Sequence, residues 1–221
     1  MQNNVSIKVT NAGKKFGREW IFRNIDLEIH PGEKIAVLGL NGSGKSTLLQ
    51  AFTSYLTLNE GNVTYATNTK KEEDDRVYKL LSLASPYLEL IEDFTLEEQI
   101  AHAGIYKPYL NNLTTQQVIE LSGLSDHSSK YIRLFSSGMK QRLKLVLAIL
   151  ADAPVLFLDE PTTNLDAVVV EWYKKMISEY AMHKTIIVCS NSIKDEYAFC
   201  NKVIAMEDYK KVKTGEGKGK M

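Results

Sequence analysis

Between an almost unbroken apolar run, KIAVLG (34–39), and a stretch with helical spacing from Ser46 stands GLNGSGKST, residues 39–47. Gly39, Gly42 and Gly44 allow a tight turn in which successive N–H groups point the same way, and the start of a helix adds positive potential there. The pattern G-x-x-x-x-G-K-[S/T], placed between a buried strand and a helix, cradles the β- and γ-phosphates of a nucleotide. The backbone of Gly39, Leu40, Asn41, Gly42, Ser43 and Gly44 would line the cradle. Lys45 would neutralise phosphate charge, Ser46 suits a Mg²⁺ ligand, and the Thr47 hydroxyl reaches a phosphate. A chain built around this unit is α/β, with a parallel sheet covered on both faces.

The segments on either side agree with that reading. VSIKV (5–9) and IDLEI (25–29) read as antiparallel strands, NVTYA (62–66) as another after the Asn59-Glu60-Gly61 turn, and VYKLLSLA (77–84) as a strand. Residues from about 95 to 150 read as mostly helical, with turns at Gly104, Pro108 and Asn111-Asn112. The last helix of this block follows Ser136-Ser137-Gly138 and puts Met139, Leu143, Val146, Leu147 and Leu150 on one face. Strand VLFL (155–158), a helix over 166–182, strand TIIVCS (185–190), a helix near 193–200 and strand KVIAM (202–206) then alternate, as parallel sheets require. The charged stretch TKKEEDDR (69–76) reads as a solvated loop, and the Lys- and Gly-rich tail from Lys210 to Met221 as disordered.

Composition removes several classes of function. With 221 residues, 44% hydrophobic and 24% charged, the chain is long enough for a full core and is read as one domain, 1–221, with a helical subdomain over about 85–150. Lys plus Arg number 27 and Asp plus Glu 27, so 27 − 27 = 0 leaves no field to hold a polyanion, and nucleic acid is not expected as a partner. No run approaches the roughly 20 apolar residues of a membrane span, and MQNNVSIKVT lacks the regions of a signal peptide, so a soluble chain in the compartment of its synthesis is expected. Cys189 and Cys200 are read as reduced thiols.

A second chemical element follows the strand VLFL. Asp159 and Glu160 in VLFLDEPTT emerge at a sheet's C-terminal edge, where α/β proteins bind ligands. Beside a phosphate loop, Asp159 suits holding Mg²⁺ through water, and Glu160 suits polarising a water for in-line attack on a γ-phosphate.

Three further segments turn the general reading into a resemblance. LFSSGMKQRLKLVLAIL (134–150) resembles the signature motif and following helix of ATP-binding cassette (ABC) ATPases, with Phe135, Ser136, Ser137, Gly138 and Met139 in the signature positions. LFLDEPTTNLD resembles that family's Walker B strand running into its D-loop, Asn164-Leu165-Asp166. Phe16, 23 residues before Gly39 (39 − 16), resembles the aromatic that stacks on adenine, with Trp20 as the competing residue. The resemblance extends from residue 5 to about 207. It implies a P-loop NTPase fold: a RecA-like parallel core, an N-terminal antiparallel β-subdomain and an inserted helical subdomain.

The resemblance also implies ATP and Mg²⁺ as ligands, Glu160, Lys45 and Asn191 as catalytic residues, and Ser136, Gly138 and Asp166 as contacts made across a head-to-tail dimer. The implied function is the ATP-hydrolysing subunit of a transporter, held at the inner face of the cell membrane by separate permease subunits. The short stretch after the last strand tilts this toward export. A soluble ATP-gated clamp with slow hydrolysis is the alternative. Pro86-Tyr87-Leu88-Glu89-Leu90-Ile91 is where a permease would dock, unless it belongs to the helical core. Two positions depart from the family pattern. Ser85 stands at the Q-loop glutamine and is too short to reach a metal or water, while Asn191 stands at the switch histidine and cannot carry positive charge, so slow hydrolysis is expected. His30, His102, His127 and His183 all lie elsewhere.

Overall fold

The computed structural model describes residues 4–67, 70–71 and 76–210. The charged loop and the tail beyond Lys210 therefore lie outside the described residues, apart from Lys70, Lys71 and Arg76. The chain opens with a hairpin, β1 (Val5–Phe16) and β2 (Glu19–Ile29), followed by β3 (Lys34–Leu38) and α1 (Lys45–Phe52). β4 (Glu60–Thr67) and β5 (Lys70–Lys71) complete a four-stranded antiparallel sheet of order β2-β1-β4-β5. Both hairpin strands are longer than their alternation predicts. Irregularities between Val9 and Lys15 break the two-residue period, and pairing on both edges of β1 carries the strand through them.

Next come α2 (Val77–Leu80), β6 (Leu81–Ala84), α3 (Leu96–Tyr106), α4 (Thr115–Ser122) and α5 (Ser137–Leu150). The C-terminal part holds β7 (Val155–Asp159), α6 (Ala167–Tyr180), β8 (Thr185–Ser190), α7 (Lys194–Tyr197) and β9 (Lys202–Ala205). Five strands form a parallel sheet of order β6-β7-β8-β3-β9. The expected α/β fold, parallel core with an N-terminal antiparallel sheet and helices between β6 and β7, is the one observed.

Alternate residues of the central strands feed two cores. Phe157, Ile187 and Cys189 join the side chains of the antiparallel sheet and α1, while Leu156, Leu158, Ile186 and Val188 join those of the helical block. Both faces are buried, and for that reason these strands read as continuous apolar runs.

Three segment readings change. VYKLLSLA divides into α2 and β6, because only Leu81–Ala84 find partners on β7, while Val77 and Leu80 bury one side of a helical turn. Gly104 lies inside α3 and makes no turn; a Cβ there would stand 3.0 Å from the Tyr109 ring, so the glycine admits a close contact. The helix near 193–200 shrinks to α7. In α5 the buried face is wider than predicted, with Leu145, Ala148 and Ile149 also inside, because the helix packs against both the sheet and other helices. Its C-terminal end is held by a fully buried lysine: Lys184 Nζ donates to the Ile149 and Ala151 carbonyls at 2.9 and 2.5 Å. Burial pulls the pKa of Lys184 down to about 8. Cys189 and Cys200 are free thiols.

Candidate phosphate-binding site

Strand order assembles the site. β7, β8 and β3 are neighbours, so the turns after Asp159, Ser190 and Leu38 open at one C-terminal edge although they lie far apart along the chain. The loop after β3 is the one whose sequence reads as a phosphate loop. Gly42 and Gly44 adopt φ of 73° and 99°, a left-handed backbone that glycine reaches without strain. At Gly44 space is as restrictive as φ, since a Cβ would stand 2.5 Å from Ile21 Cγ2. Met206, just beyond β9, closes the same loop from below, its Cβ 3.1 Å from where one on Gly39 would stand.

Lys45 is buried and its ammonium is fully engaged. Nζ donates to the Gly39 and Leu40 carbonyls at 2.9 and 3.2 Å and to Asn191 Oδ1 at 2.5 Å, and lies 3.7 Å from Glu160 Oε1. Asn191 Nδ2 donates in turn to Glu160 Oε1 at 3.0 Å. Lys45, Asn191 and Glu160 thus form one connected chain, with a neutral amide between cation and carboxylate. Glu160 sits at φ 46°, a conformation that non-glycine residues avoid unless their surroundings impose it.

Asp159 is buried beside them. Its Oδ2 accepts from the Ser85 hydroxyl at 3.3 Å, whereas Oδ1 has no hydrogen-bond partner among the described residues. Burial pushes its carboxyl above the usual range, the Glu160 charge adds to this, and hydrogen bonds from Ser46 and Ser85 together with Lys45 oppose it. A buried carboxylate oxygen without a donor, with the Ser46 hydroxyl at hand, fits a hard divalent cation such as Mg²⁺.

The remaining predicted residues are not gathered here. Ser136 caps α5, its hydroxyl accepting from Met139 N at 3.2 Å, and Gly138 lies so close to the D-loop that a Cβ would stand 2.9 Å from the Asn164 carbonyl. Asp166 caps α6 through Val169 N at 2.9 Å. Among the described residues no hydrogen bond or ion pair joins Ser136, Gly138 or Asp166 to residues 39–47. Phe16 is 54% exposed at the tip of the hairpin, with Lys14 Nζ 5.1 Å from its ring centre. Trp20 is flanked by Lys15 and Arg23 and packs on Gly13, which leaves Phe16 the freer face. His102 and His127 pack against aromatic rings, Phe94 and Tyr106 for the first and Phe135 for the second.

Sequence reasoning missed several supports. Gln141 Nε2 donates to the Pro161 carbonyl at 3.0 Å, and Lys144 Nζ to the Pro86 carbonyl at 2.7 Å. Buried Glu196 joins the turns after β7 and β8. Gln141 stands opposite the predicted apolar face of α5 and Glu196 sits in a four-residue helix, so neither carried a signal in the sequence.

The chain belongs to the ABC transporter family, whose model matches residues 22–163, and it is an ATP-binding cassette of that family. A putative ABC transporter ATP-binding protein of Methanosarcina acetivorans is 32% identical over 93% of this chain and 40% of its own length. The uncharacterized ABC transporter ATP-binding protein YdbJ of Bacillus subtilis is 28% identical over 91% of this chain and 66% of its own length. The chain thus spans about two thirds or less of these relatives. Further relatives, 25–27% identical over 95% of this chain, carry both directions in their names: Nod factor export proteins of Cupriavidus and Burkholderia and a methionine import protein of Carboxydothermus hydrogenoformans. Among solved structures, the dimeric post-hydrolysis state of the ATP-binding cassette MJ0796, bound to ADP and Pi, superposes with a TM-score of 0.75 at 23% identity, covering 90% of this chain and 93% of that one.

Proposed function

We propose that this chain binds ATP with Mg²⁺ and hydrolyses it to drive a membrane transporter, working as a head-to-tail pair with separate permease subunits. The observation that carries this reading is the Lys45–Asn191–Glu160 chain standing beside the unpartnered oxygen of Asp159. The phosphate-loop amides and Lys45 bind and orient the phosphates. Glu160 takes up the proton of the attacking water. Asn191 holds the Glu160 carboxylate in place and keeps its charge apart from Lys45. Asp159 and Ser46 would hold Mg²⁺, which supplies charge neutralisation at the γ-phosphate oxygens. Phe16 offers its exposed ring to the adenine.

Among the described residues Ser136, Gly138 and Asp166 make no hydrogen bond or ion pair with the phosphate loop, so the reading needs a second copy to bring its signature face over the nucleotide. The relation of the family's named members to transport supports permease partners. The segment after Ser85 is suited to receive them, since Tyr87 is 75% exposed with Leu88 and Ile91 beside it. That segment is tied to Asp159 through Ser85 and to α5 through Lys144. Docking would therefore be felt both at the metal ligand and at the signature helix. Placement at the cytoplasmic face of a membrane follows from such docking.

Glu160→Gln keeps size and hydrogen bonding but removes the base, so turnover should fall by about 10²- to 10⁴-fold and an ATP-bound dimer should accumulate. Size exclusion with ATP and Mg²⁺ reads the dimer, and a variant that stays monomeric overturns the composite site. Co-purification with a multi-span membrane protein tests the transporter role, and its absence from membranes overturns that part.

A further inference from the structure

Glu196 is a fully buried carboxylate that touches neither the phosphate loop nor Asp159 in any hydrogen bond. Its Oε1 accepts from Thr162 N at 3.0 Å and from the Thr162 hydroxyl at 2.8 Å. Its Oε2 accepts from the Ser190 hydroxyl, which itself accepts from Ile193 N at 3.2 Å. The Tyr173 hydroxyl donates to the Glu196 backbone carbonyl at 2.8 Å and fixes the short helix on α6. Desolvating a carboxylate is costly unless its oxygens accept hydrogen bonds, and here donors from two separate turns supply three of them.

Those two turns carry the reactive groups. Thr162 lies two residues after Glu160, and Ser190 immediately precedes Asn191. Both turns hold a residue with left-handed backbone, Glu160 at φ 46° and Ser192 at φ 68°, conformations that persist only where neighbours over-determine them. We infer that Glu196 is a positioning residue: its buried carboxylate clamps the turn after β7 to the turn after β8 and so sets the Asn191–Glu160 hydrogen bond. The inference rests on the proposed hydrolysis for its effect on turnover, while the clamp itself can be observed without turnover.

Glu196→Ala cuts both arms and should lower kcat about tenfold while KM for ATP stays within about twofold, because the phosphate loop is untouched. Glu196→Gln can still accept from Thr162 and can donate to the Ser190 oxygen, so it should recover most of the turnover. Hydrogen–deuterium exchange should accelerate in Glu196→Ala over residues 160–163 and 190–193 and remain unchanged over 39–47. Unchanged kcat, or exchange in the two turns equal to that of the parent, overturns the inference even if the variant melts earlier. Should the alanine variant not fold, Thr162→Val and Ser190→Ala each remove one donor and should each lower kcat about threefold with KM unchanged; no change in either has the same overturning force. If the parent protein itself shows no turnover, the hydrolysis reading falls, and the exchange measurement alone decides whether Glu196 holds the turns.

Discussion

At the C-terminal edge of the parallel sheet, Lys45, Asn191 and Glu160 bond one another at 2.5 and 3.0 Å, and each is positioned by a different strand. At the N-terminus of α5, by contrast, Ser136 bonds only the first turn of its own helix and Gly138 rests on Asn164. The first region is a network whose members depend on one another across long stretches of sequence. The second is a local structure, a capped helix with a small residue at its tip, and among the described residues no hydrogen bond or ion pair joins it to the phosphate loop. The difference teaches that the two halves of the proposed site respond differently to mutation: one should fail in the monomer, the other only in the pair.

The strongest test of that contrast removes the central cation. Lys45→Ala should weaken ATP binding about 10- to 100-fold, roughly 1.5–3 kcal/mol, measured by calorimetry on the monomer. Normal affinity would sink the phosphate-loop assignment.

Next in size is the amide that joins cation to carboxylate. Asn191→Ala deletes one hydrogen bond to each, and turnover at saturating ATP should fall about tenfold, the equivalent of about 1.4 kcal/mol. Asn191→His should also lower the rate, because a neutral imidazole accepts and donates from opposite sides of a rigid ring and does not reproduce a compact bridge. A histidine variant faster than the parent would show that missing positive charge, and not bridging, limits the reaction.

The smallest effect belongs to the other region. Ser136→Ala loses an N-cap, about 1 kcal/mol or a Tm lower by about 2–4 °C, and should leave monomer affinity for ATP unaltered. Combined with Glu160→Gln it should weaken the ATP-dependent dimer seen by size exclusion. If it instead reduces ATP binding by the monomer, the separation between the two regions is wrong.

Legibility in the sequence followed the range of the physics involved. The phosphate loop was readable because its chemistry is local: glycines, lysine and hydroxyl within nine residues, bounded by a strand and a helix. Strands β3, β7 and β8 were readable because burial on both faces leaves an unbroken apolar run. The boundary between α2 and β6 was not, since pairing with Val155–Leu158 alone decides where extended structure begins. Glu196 was not readable either: a glutamate in a four-residue helix carries no mark of being buried, and its donors come from Thr162 and Ser190.

By itself, then, the sequence determined the class of fold, the glycine-rich turn after β3 and the acidic pair that follows β7, because those depend on residue types at close spacing. Tertiary structure alone decided that Asn191 bridges Lys45 to Glu160, that one oxygen of Asp159 has no partner among the described residues and that Glu196 joins two turns. Each of these requires the strand order β7-β8-β3 to bring distant segments to one edge. That order is set by the packing of two cores on opposite faces of the sheet, a property no local stretch of chain contains.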